Sequence, residues 1–304
     1  MKISLFIPTY NAISYFGDNF SKNLKLIHQA NLYRVLIIDS SSSDNTVEVV
    51  KSYGFECVVI PQVEFDHGGT RQQALDRLIE SDIVIYLTQD VLLEDVDSIH
   101  KLVHPLIGNN KIAACYGRQL PHHDADTFAC HLRAFNYTPQ SYIRGYSDRY
   151  VWGMRCVFSS DSFAAYRVKA LHQVGGFPER LIFGEDVYVF AKLLQAGHKV
   201  AYVAEATCYH SHNYRIRHDF KRYFDIGVFH RSENWILQDF GDASKEGLKF
   251  VLSEWKYLIR KPWLIPKSIF RTMAKYIGYK LGYNYHRIGV RLCRKLTMNK
   301  SFWW

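Results

Sequence analysis

Asp82-Ile83-Val84-Ile85-Tyr86-Leu87-Thr88-Gln89-Asp90 is the stretch whose reading decides the fold. Five apolar residues follow one another without the polar alternation of a half-exposed strand, which fits a strand covered on both faces at the centre of a parallel sheet. The run then breaks into three polar residues, the last an acid. Working outward, the same grammar recurs. Residues 2–7 form a short apolar strand that runs into Pro8-Thr9-Tyr10-Asn11, and residues 34–39 form another that closes on Asp39. Between them, Phe16, Phe20, Leu24 and Ile27 recur at three- and four-residue spacing, which predicts a helix over 15–30. Asn45 with Glu48 reads as a capping box and Gly54 as a helix stop. Residues 57–60 suit a third strand. Residues 69–80 suit a helix with Ala74, Leu75, Leu78 and Ile79 on one face, followed by the 82–87 strand, a helix over 97–106 and a strand over 112–116. This alternation predicts an α/β chain built on a mostly parallel, doubly wound sheet. Ligands of such sheets sit beyond the carboxyl ends of the strands, and Thr9, Asp39, His67 and Asp90 all lie at such ends.

The second stretch is less regular. Residues 119–155 are rich in His, Asp, Arg and Tyr and read as a long loop, a lid or an acceptor wall. A strand over 157–160, a helix over 167–174, a turn at Gly175-Gly176-Phe177-Pro178, a helix over 186–196 stopped at Gly197, a strand over 200–204 and a further segment over 207–212 follow.

Composition narrows the function classes. The 304 residues carry a net charge of +9. Twelve Lys or Arg and one acid lie between Glu254 and the C-terminus, which leaves 26 basic and 28 acidic residues in the first 253 positions. A general nucleic-acid binder does not distribute charge in this way; a basic appendage on a near-neutral body does. The six cysteines are scattered without zinc spacing or a CxxC pair, so a reducing cytosol is the expected compartment. Neither a signal peptide nor an uncharged apolar run of membrane-spanning length is expected. Abundant aromatic residues suit sugar stacking and core packing alike.

Four motifs carry chemistry. A carboxylate at a strand end, Asp39, suits a pyrimidine N3–H or a ribose hydroxyl, and equally a turn. The first turn, Pro8-Thr9-Tyr10-Asn11-Ala12, has no glycine for a pyrophosphate to approach, which excludes a dinucleotide site. In Phe65-Asp66-His67-Gly68-Gly69-Thr70-Arg71 two glycines permit close backbone approach, and the helix N-terminus behind them favours a diphosphate, with Arg71 added as a phosphate or base contact. The same string also suits a tight turn with Arg71 in solvent. Glu185-Asp186 suits a base beside an acceptor hydroxyl, or a pair of helix-start acids facing the macrodipole.

In this order and spacing the motifs resemble a family-2, GT-A-fold glycosyltransferase, an enzyme that moves a sugar from a nucleotide diphosphate to an acceptor hydroxyl. The resemblance covers about residues 1–215. It implies a GT-A catalytic domain over 1–215, with a nucleotide-binding half over 1–117 and an acceptor half over 118–215, and a helical basic extension over 216–304. Donor contacts are implied for Pro8, Thr9, Tyr10, Asp39, His67, Gly68, Gly69, Arg71, Thr88, Gln89 and Asp90. Such enzymes carry Asp-x-Asp where this chain has Thr88-Gln89-Asp90, so Asp90 is the implied ligand of Mg²⁺ or Mn²⁺, and Thr88 and Gln89 are left for sugar or ribose hydroxyls. Asp186 is the implied base of an inverting transfer, supported by Glu185, with Gly175-Gly176-Phe177-Pro178-Glu179 as its lead-in. A histidine after the next strand completes the metal site: His210 first, His212 second. Alternate positions of an extended segment face opposite sides, so at most one is expected to be a ligand. Trp152, Asp161, Tyr166 and Arg167 are implied on the acceptor side, with core packing as the alternative for Trp152 and Tyr166.

The string from Phe65 to Arg71 resembles bacterial rhamnosyltransferases of O-antigen and cell-wall polysaccharide synthesis, which implies a dTDP-rhamnose donor. A UDP-hexose transferase of the same fold and an inactive nucleotide-sugar-binding scaffold at a membrane are the alternatives. In the tail, Trp255, Tyr257, Trp263, Ile265, Ile269, Phe270, Tyr276, Tyr279 and Tyr283 are interleaved with Lys and Arg, and Pro262 and Pro266 divide the segment. Interfacial aromatics on a basic amphipathic segment suit an anionic membrane surface. A helical subdomain on the catalytic body and an oligomer contact are the other readings. The expected partners are therefore a dTDP-sugar, a polyprenyl-diphosphate-linked saccharide and the inner face of the cell membrane, reached from the cytoplasm.

Overall fold

In the computed structural model, which describes residues 1–242 and 244–303, the first 120 residues alternate strand and helix. Ala243 and Trp304, both within the expected extension, lie outside the described residues. The elements are β1 (Ile3–Thr9), α1 (Ala12–Gln29), β2 (Arg34–Asp39), α2 (Thr46–Ser52), β3 (Glu56–Val59), α3 (His67–Arg77), β4 (Ile83–Leu87), β5 (Leu92–Leu93), α4 (Asp97–Gly108) and β6 (Ile112–Leu120). There follow α5 (Thr127–Asn136), β7 (Tyr142–Arg144), α6 (Arg149–Trp152), β8 (Phe163–Arg167), α7 (Val168–Gln173), α8 (Glu185–Gln195) and β9 (Lys199–Tyr209). The chain closes with α9 (Ile216–Ser232), α10 (Asn234–Phe240), α11 (Ser244–Tyr257), α12 (Ile265–Tyr283) and α13 (Val290–Leu296).

One mixed sheet runs in the order β3-β2-β1-β4-β8-β6-β9-β5, with β7 on β9. β1 pairs in parallel with both β2 and β4, so the winding reverses beside β1. β8 then enters antiparallel between β4 and β6. All five residues of β4 are buried: Val84 and Tyr86 join the core on one face, and Ile83, Ile85 and Leu87 join the core on the other. Burial of each such side chain stabilises the fold by roughly 1.5–3 kcal/mol, which is why the opening run reads as it does.

Several expectations are corrected. Residues 119–155 are not a loop: they hold the end of β6, then α5, β7 and α6. Helix α5 escaped notice because its buried face includes His131 as well as Phe128 and Ala129, and because it packs on α11, more than a hundred residues away. The strand expected over 157–160 is β8, a few residues later; Cys156 and Val157 are buried in a 3₁₀ turn instead. The segments 200–204 and 207–212 are one eleven-residue strand up to Tyr209, followed by irregular chain. Asn45 makes no capping bond. The Asp44 carboxylate does that work, accepting from the Thr46 amide (3.0 Å) and from the Ser14 amide (2.8 Å) at the start of α1.

The boundary expected at 215/216 does not divide the structure. Phe224, Val228, Phe229, Ile236, Phe240, Cys293 and Trp303 belong to the same apolar cluster as β4 and β6. Asp225 of α9 accepts from the Thr297 hydroxyl (2.5 Å) and the Met298 amide (2.9 Å), which ties the C-terminal turn down. Helices α9 and α12 cross with their backbones touching. A Cβ at Gly282 would come within 1.9 Å of the Phe224 carbonyl, and one at Gly278 within 2.3 Å of the Phe220 carbonyl, so only glycine allows this approach.

Candidate active site

A cleft of about 1710 Å³ opens past the end of β4. Its walls come from α3, the loops after β4 and β9, the start of α8, and α9.

At its base, three carboxylates cluster and one guanidinium pairs with two of them. Arg71 is buried; its Nε lies 3.2 Å from Asp161 and its Nη1 lies 3.1 Å from Glu185, while Nη1 also donates to the His67 carbonyl (2.8 Å). Tyr166 donates its hydroxyl to Asp161. Asp186, next to Glu185 on the first turn of α8, has no such cation; its carboxylate accepts the Val187 amide at 2.7 Å. Burial first, then the charges of Asp161 and Glu185, hold Asp186 well above the ordinary carboxylate range. Burial acts against ionisation of Glu185 too, but Arg71 beside it brings that carboxyl below its usual value. One cation shared by two acids leaves the third as a proton acceptor of raised basicity, the tuning a general base requires.

Asp90 anchors the other wall. Its Oδ1 accepts from the Thr88 hydroxyl (2.6 Å), and its Oδ2 faces Nε2 of His210 at 3.1 Å and Nε2 of His212 at 3.5 Å. The ring orientation of His210 is fixed from behind. Gln119 Oε1 has only lone pairs, so Nδ1 of His210 must donate to it (2.9 Å); Arg133 donates to the same oxygen, and Gln119 Nε2 donates to Ser160 (2.8 Å). This leaves Nε2 directed at the Asp90 carboxylate, where a bound cation would take a lone pair from each. Burial above all pushes His212 down to about 4, which keeps its imidazole neutral. The three ligand atoms lie within 4.8 Å of one another. This donor set fits a divalent cation, and its imidazoles favour Mn²⁺ over Mg²⁺. Both histidines converge on Asp90, contrary to the expectation of one. β9 ends at Tyr209, so the alternation of an extended strand no longer applies, and the two rings meet edge to face at 4.9 Å.

Other expected residues serve to hold the site. Asp39 is fully buried and accepts from Thr9 (2.7 Å) and from the amide and hydroxyl of Ser42 (2.8 and 2.6 Å), so its oxygens bind the turn after β2 together. Gln89 is spent on the Tyr10 backbone, accepting from its amide (2.8 Å) and donating to its carbonyl (3.2 Å). Pro8, Thr9 and Tyr10 do not line the cleft. The N-terminus of α3 is capped by Asp66, which accepts from the Gly69 amide at 2.7 Å; a carboxylate sits where a diphosphate was expected. What approaches Gly68 is the Pro178 carbonyl, 1.8 Å from where a Cβ would be. His67 lines the cleft edge-on to Phe65, whereas Arg71 is consumed by its acids.

On the expected acceptor side, Asp161 lines the cleft but is bound to Arg71 and Tyr166, and Tyr166 is fully buried behind it. Trp152, half-buried, packs on Tyr142 with ring centroids 4.9 Å apart, against the core. Arg167 donates to the carbonyls of Leu106 (2.6 Å) and Ile112 (3.4 Å), joining α4 to β6. The residue that sequence reasoning missed is Arg222 of α9. Its guanidinium lines the cleft over Phe183 (4.8 Å) and Tyr214 (5.9 Å), on the side of His212. No motif marks it, and it lies past the expected edge of the catalytic domain.

A metal-ready Asp–His–His wall opposite a basic carboxylate, both beyond the strand ends of a mixed α/β sheet, defines a sugar-nucleotide-dependent glycosyltransferase of the GT-A fold. The chain belongs to glycosyl transferase family 2, whose sequence profile matches residues 4–175. It is 44% identical, over its whole length and 96% of the relative, to the O-antigen chain rhamnosyltransferase RfbN of Salmonella typhimurium (strain LT2). It is 43% identical to the O-antigen chain rhamnosyltransferase WbaN of Salmonella anatum, over 99% of this chain and 95% of that one. Among solved structures it is similar in fold to the mannosyltransferase PcManGT from Pyrobaculum calidifontis, in complex with GDP-Man and Mn²⁺. The TM-score is 0.57 and the identity 16%, with 99% of this chain and 84% of the other covered. S. aureus TarS 1-349 follows, with a TM-score of 0.54, 13% identity and coverage of 94% and 91%.

Proposed function

We propose that the chain is an inverting rhamnosyltransferase that moves rhamnose from dTDP-rhamnose to a hydroxyl of a polyprenyl-diphosphate-linked saccharide during O-antigen synthesis. The observation that carries the chemistry is Asp186, buried beside two acids that share the Arg71 guanidinium between them. The rhamnose assignment draws on the full-length relatives and on the string from Phe65 to Arg71.

Asp186 takes the proton of the acceptor hydroxyl as its oxygen attacks the anomeric carbon in line, on the face opposite the departing dTDP. Glu185 and Asp161 are positioning residues that keep Arg71 in place and Asp186 basic. Asp90, His210 and His212 would hold a divalent cation that, when bound, offsets charge on the leaving diphosphate. Arg222, not Arg71, supplies the guanidinium on that side.

Asp186→Asn is expected to lower kcat by about 10²–10⁴-fold while leaving donor affinity near wild type. Calorimetry with dTDP-rhamnose and with UDP-glucose, each with and without Mn²⁺, tests the donor. Cation-dependent binding of dTDP-rhamnose alone supports the reading. Preference for UDP-glucose would discard rhamnose, and unchanged turnover in the Asp186 variant would discard the base.

The enzyme acts as a peripheral protein on the cytoplasmic face of the membrane, resting on the outer side of α11 and α12. No helix among the described residues is long and apolar enough to cross a membrane. Trp263, Phe270 and Tyr276 are 70%, 61% and 62% exposed, and there is no acid between residues 255 and 283. Large exposed apolar side chains among lysines suit an anionic lipid surface.

A further inference from the structure

The cleft does not end at Asp186. It continues between α5, α9, α11 and α12, where Phe128, Tyr223, Phe250, Arg271 and Lys275 line it. We infer that Arg271 and Lys275 form a second anion site there, for the diphosphate of an amphiphilic acceptor whose apolar chain leaves along the outer face of α12. This rests on the reading above that the acceptor is lipid-linked.

Three cations recur at four-residue spacing on one stripe of α12: Lys267, Arg271 and Lys275. Arg271 is 6% exposed. Its Nε pairs with Asp219 at 2.7 Å, but its Nη1 is buried without a hydrogen-bond partner. An unmet buried donor is destabilising, and an incoming anion would relieve it. Its guanidinium lies over the Phe128 ring at 4.5 Å, with Lys267 on the same ring at 5.3 Å. Lys275, one turn on, lies over Phe250 (4.8 Å) and Tyr223 (5.6 Å), and among the described residues no carboxylate is within ion-pair distance of it. The acids of this arm are already engaged. Asp219 holds Arg271; Glu254 accepts from Ser268 (2.5 Å) and faces Nδ1 of His131 at 3.7 Å. Two donors, the Arg271 Nη1 and the Lys275 ammonium, are therefore left for a ligand, on aromatic walls that exclude water.

The opposite side of the same helix says what kind of anion. At 100° per residue, Ile269, Phe270, Met273, Tyr276 and Ile277 turn away from the stripe, and all are exposed. One helix thus offers cations inward to the cleft and an apolar surface outward. A free nucleotide or sugar phosphate would use only the first; a lipid diphosphate uses both.

The test is calorimetry on the full chain, with dTDP and Mn²⁺ saturating so that the donor site is filled. The titrants are farnesyl diphosphate, inorganic pyrophosphate and farnesol. Wild type is expected to bind farnesyl diphosphate more tightly than either fragment. Lys275→Gln is expected to weaken that binding about tenfold and Lys275→Arg to restore it, with dTDP affinity the same in all three proteins. Equal binding of farnesyl diphosphate by wild type and Lys275→Gln overturns the site. Farnesol binding as tightly as farnesyl diphosphate overturns the anion contact, and pyrophosphate binding as tightly overturns the lipid assignment. Failure of dTDP itself to bind would count against the proposed donor, a separate outcome read in the same experiment.

Discussion

Asp186 owes its basicity to neighbours, so its pH behaviour is open to engineering. With Asp186 as the proposed base, transfer needs its carboxylate, and a raised value places the acid limb of kcat/KM above the ordinary carboxylate range. Asp161 is one of the two like charges that raise it. In Asp161→Asn the acid limb is expected to move to lower pH, because less repulsion opposes ionisation of Asp186, while Glu185 keeps its bond to Arg71. A profile that stays put would show that Asp161 does not act on the base. The placement of these acids was legible residue by residue. Asp90, Glu185 and Asp186 announce themselves because a strand end and a helix start fix their positions locally. For Arg71 the sequence left open what its guanidinium meets: whether that is phosphate or carboxylate depends on Asp161, ninety residues away. Arg222 carried no signal, since a basic residue on an amphipathic helix is indistinguishable from a solvated one.

Elements in this chain meet through glycines whose purpose is contact, not conformational freedom. The α9–α12 pair depends on Gly227, Gly278 and Gly282, and a methyl at Gly282 would overlap the Phe224 carbonyl. Gly282→Ala is expected to destabilise the fold by about 1–3 kcal/mol in urea unfolding, since the two helices must separate to admit it. Gly289→Ala is the control, because nothing lies within 4 Å of its added Cβ. Equal stability of the two variants would rule out backbone contact between the helices. The long periodic helices α1, α3 and α8 were readable from spacing alone. Helix α5 was not, because the residue it buries beside Phe128 is His131, which is comfortable only against Phe250 and Tyr257 of α11. β8 was misplaced because Phe163-Ala164-Ala165-Tyr166 is short and its identity as a strand comes from β4 and β6 on either side.

At the scale of the molecule, the tail is both structure and surface. Tyr279 and Tyr283 stack on each other at 6.1 Å, and Tyr279 bonds to His230 of α9 (3.1 Å), whereas Trp263 and Phe270 face outward. Replacing both outward residues, Trp263→Glu with Phe270→Glu, is expected to abolish flotation with anionic liposomes without lowering the melting temperature; flotation as in wild type would remove the membrane reading of this face. Burial also makes the fold acid-sensitive. His230 is driven down to about 4 in the folded chain, against 6.5 for an ordinary histidine. The neutral form is the folded one, so this contribution is whole above pH 6.5 and is lost as the pH falls toward 4. Between pH 6.5 and 5 that loss amounts to up to about 2 kcal/mol. His230→Gln is expected to lose correspondingly less over the same range, measured by urea unfolding, and parallel losses would exclude His230 as the titrating group. The sequence by itself determined the sheet, the strand-end placement of the site and the family, because burial on both faces of a strand and the chemistry of a turn are written in neighbouring residues. Only the tertiary structure decided which charges remain free. Arg71 is neutralised, Asp186 is left basic, both histidines reach Asp90, and α12 closes the cleft, because charge balance and convergence depend on distances between segments that the linear order does not encode.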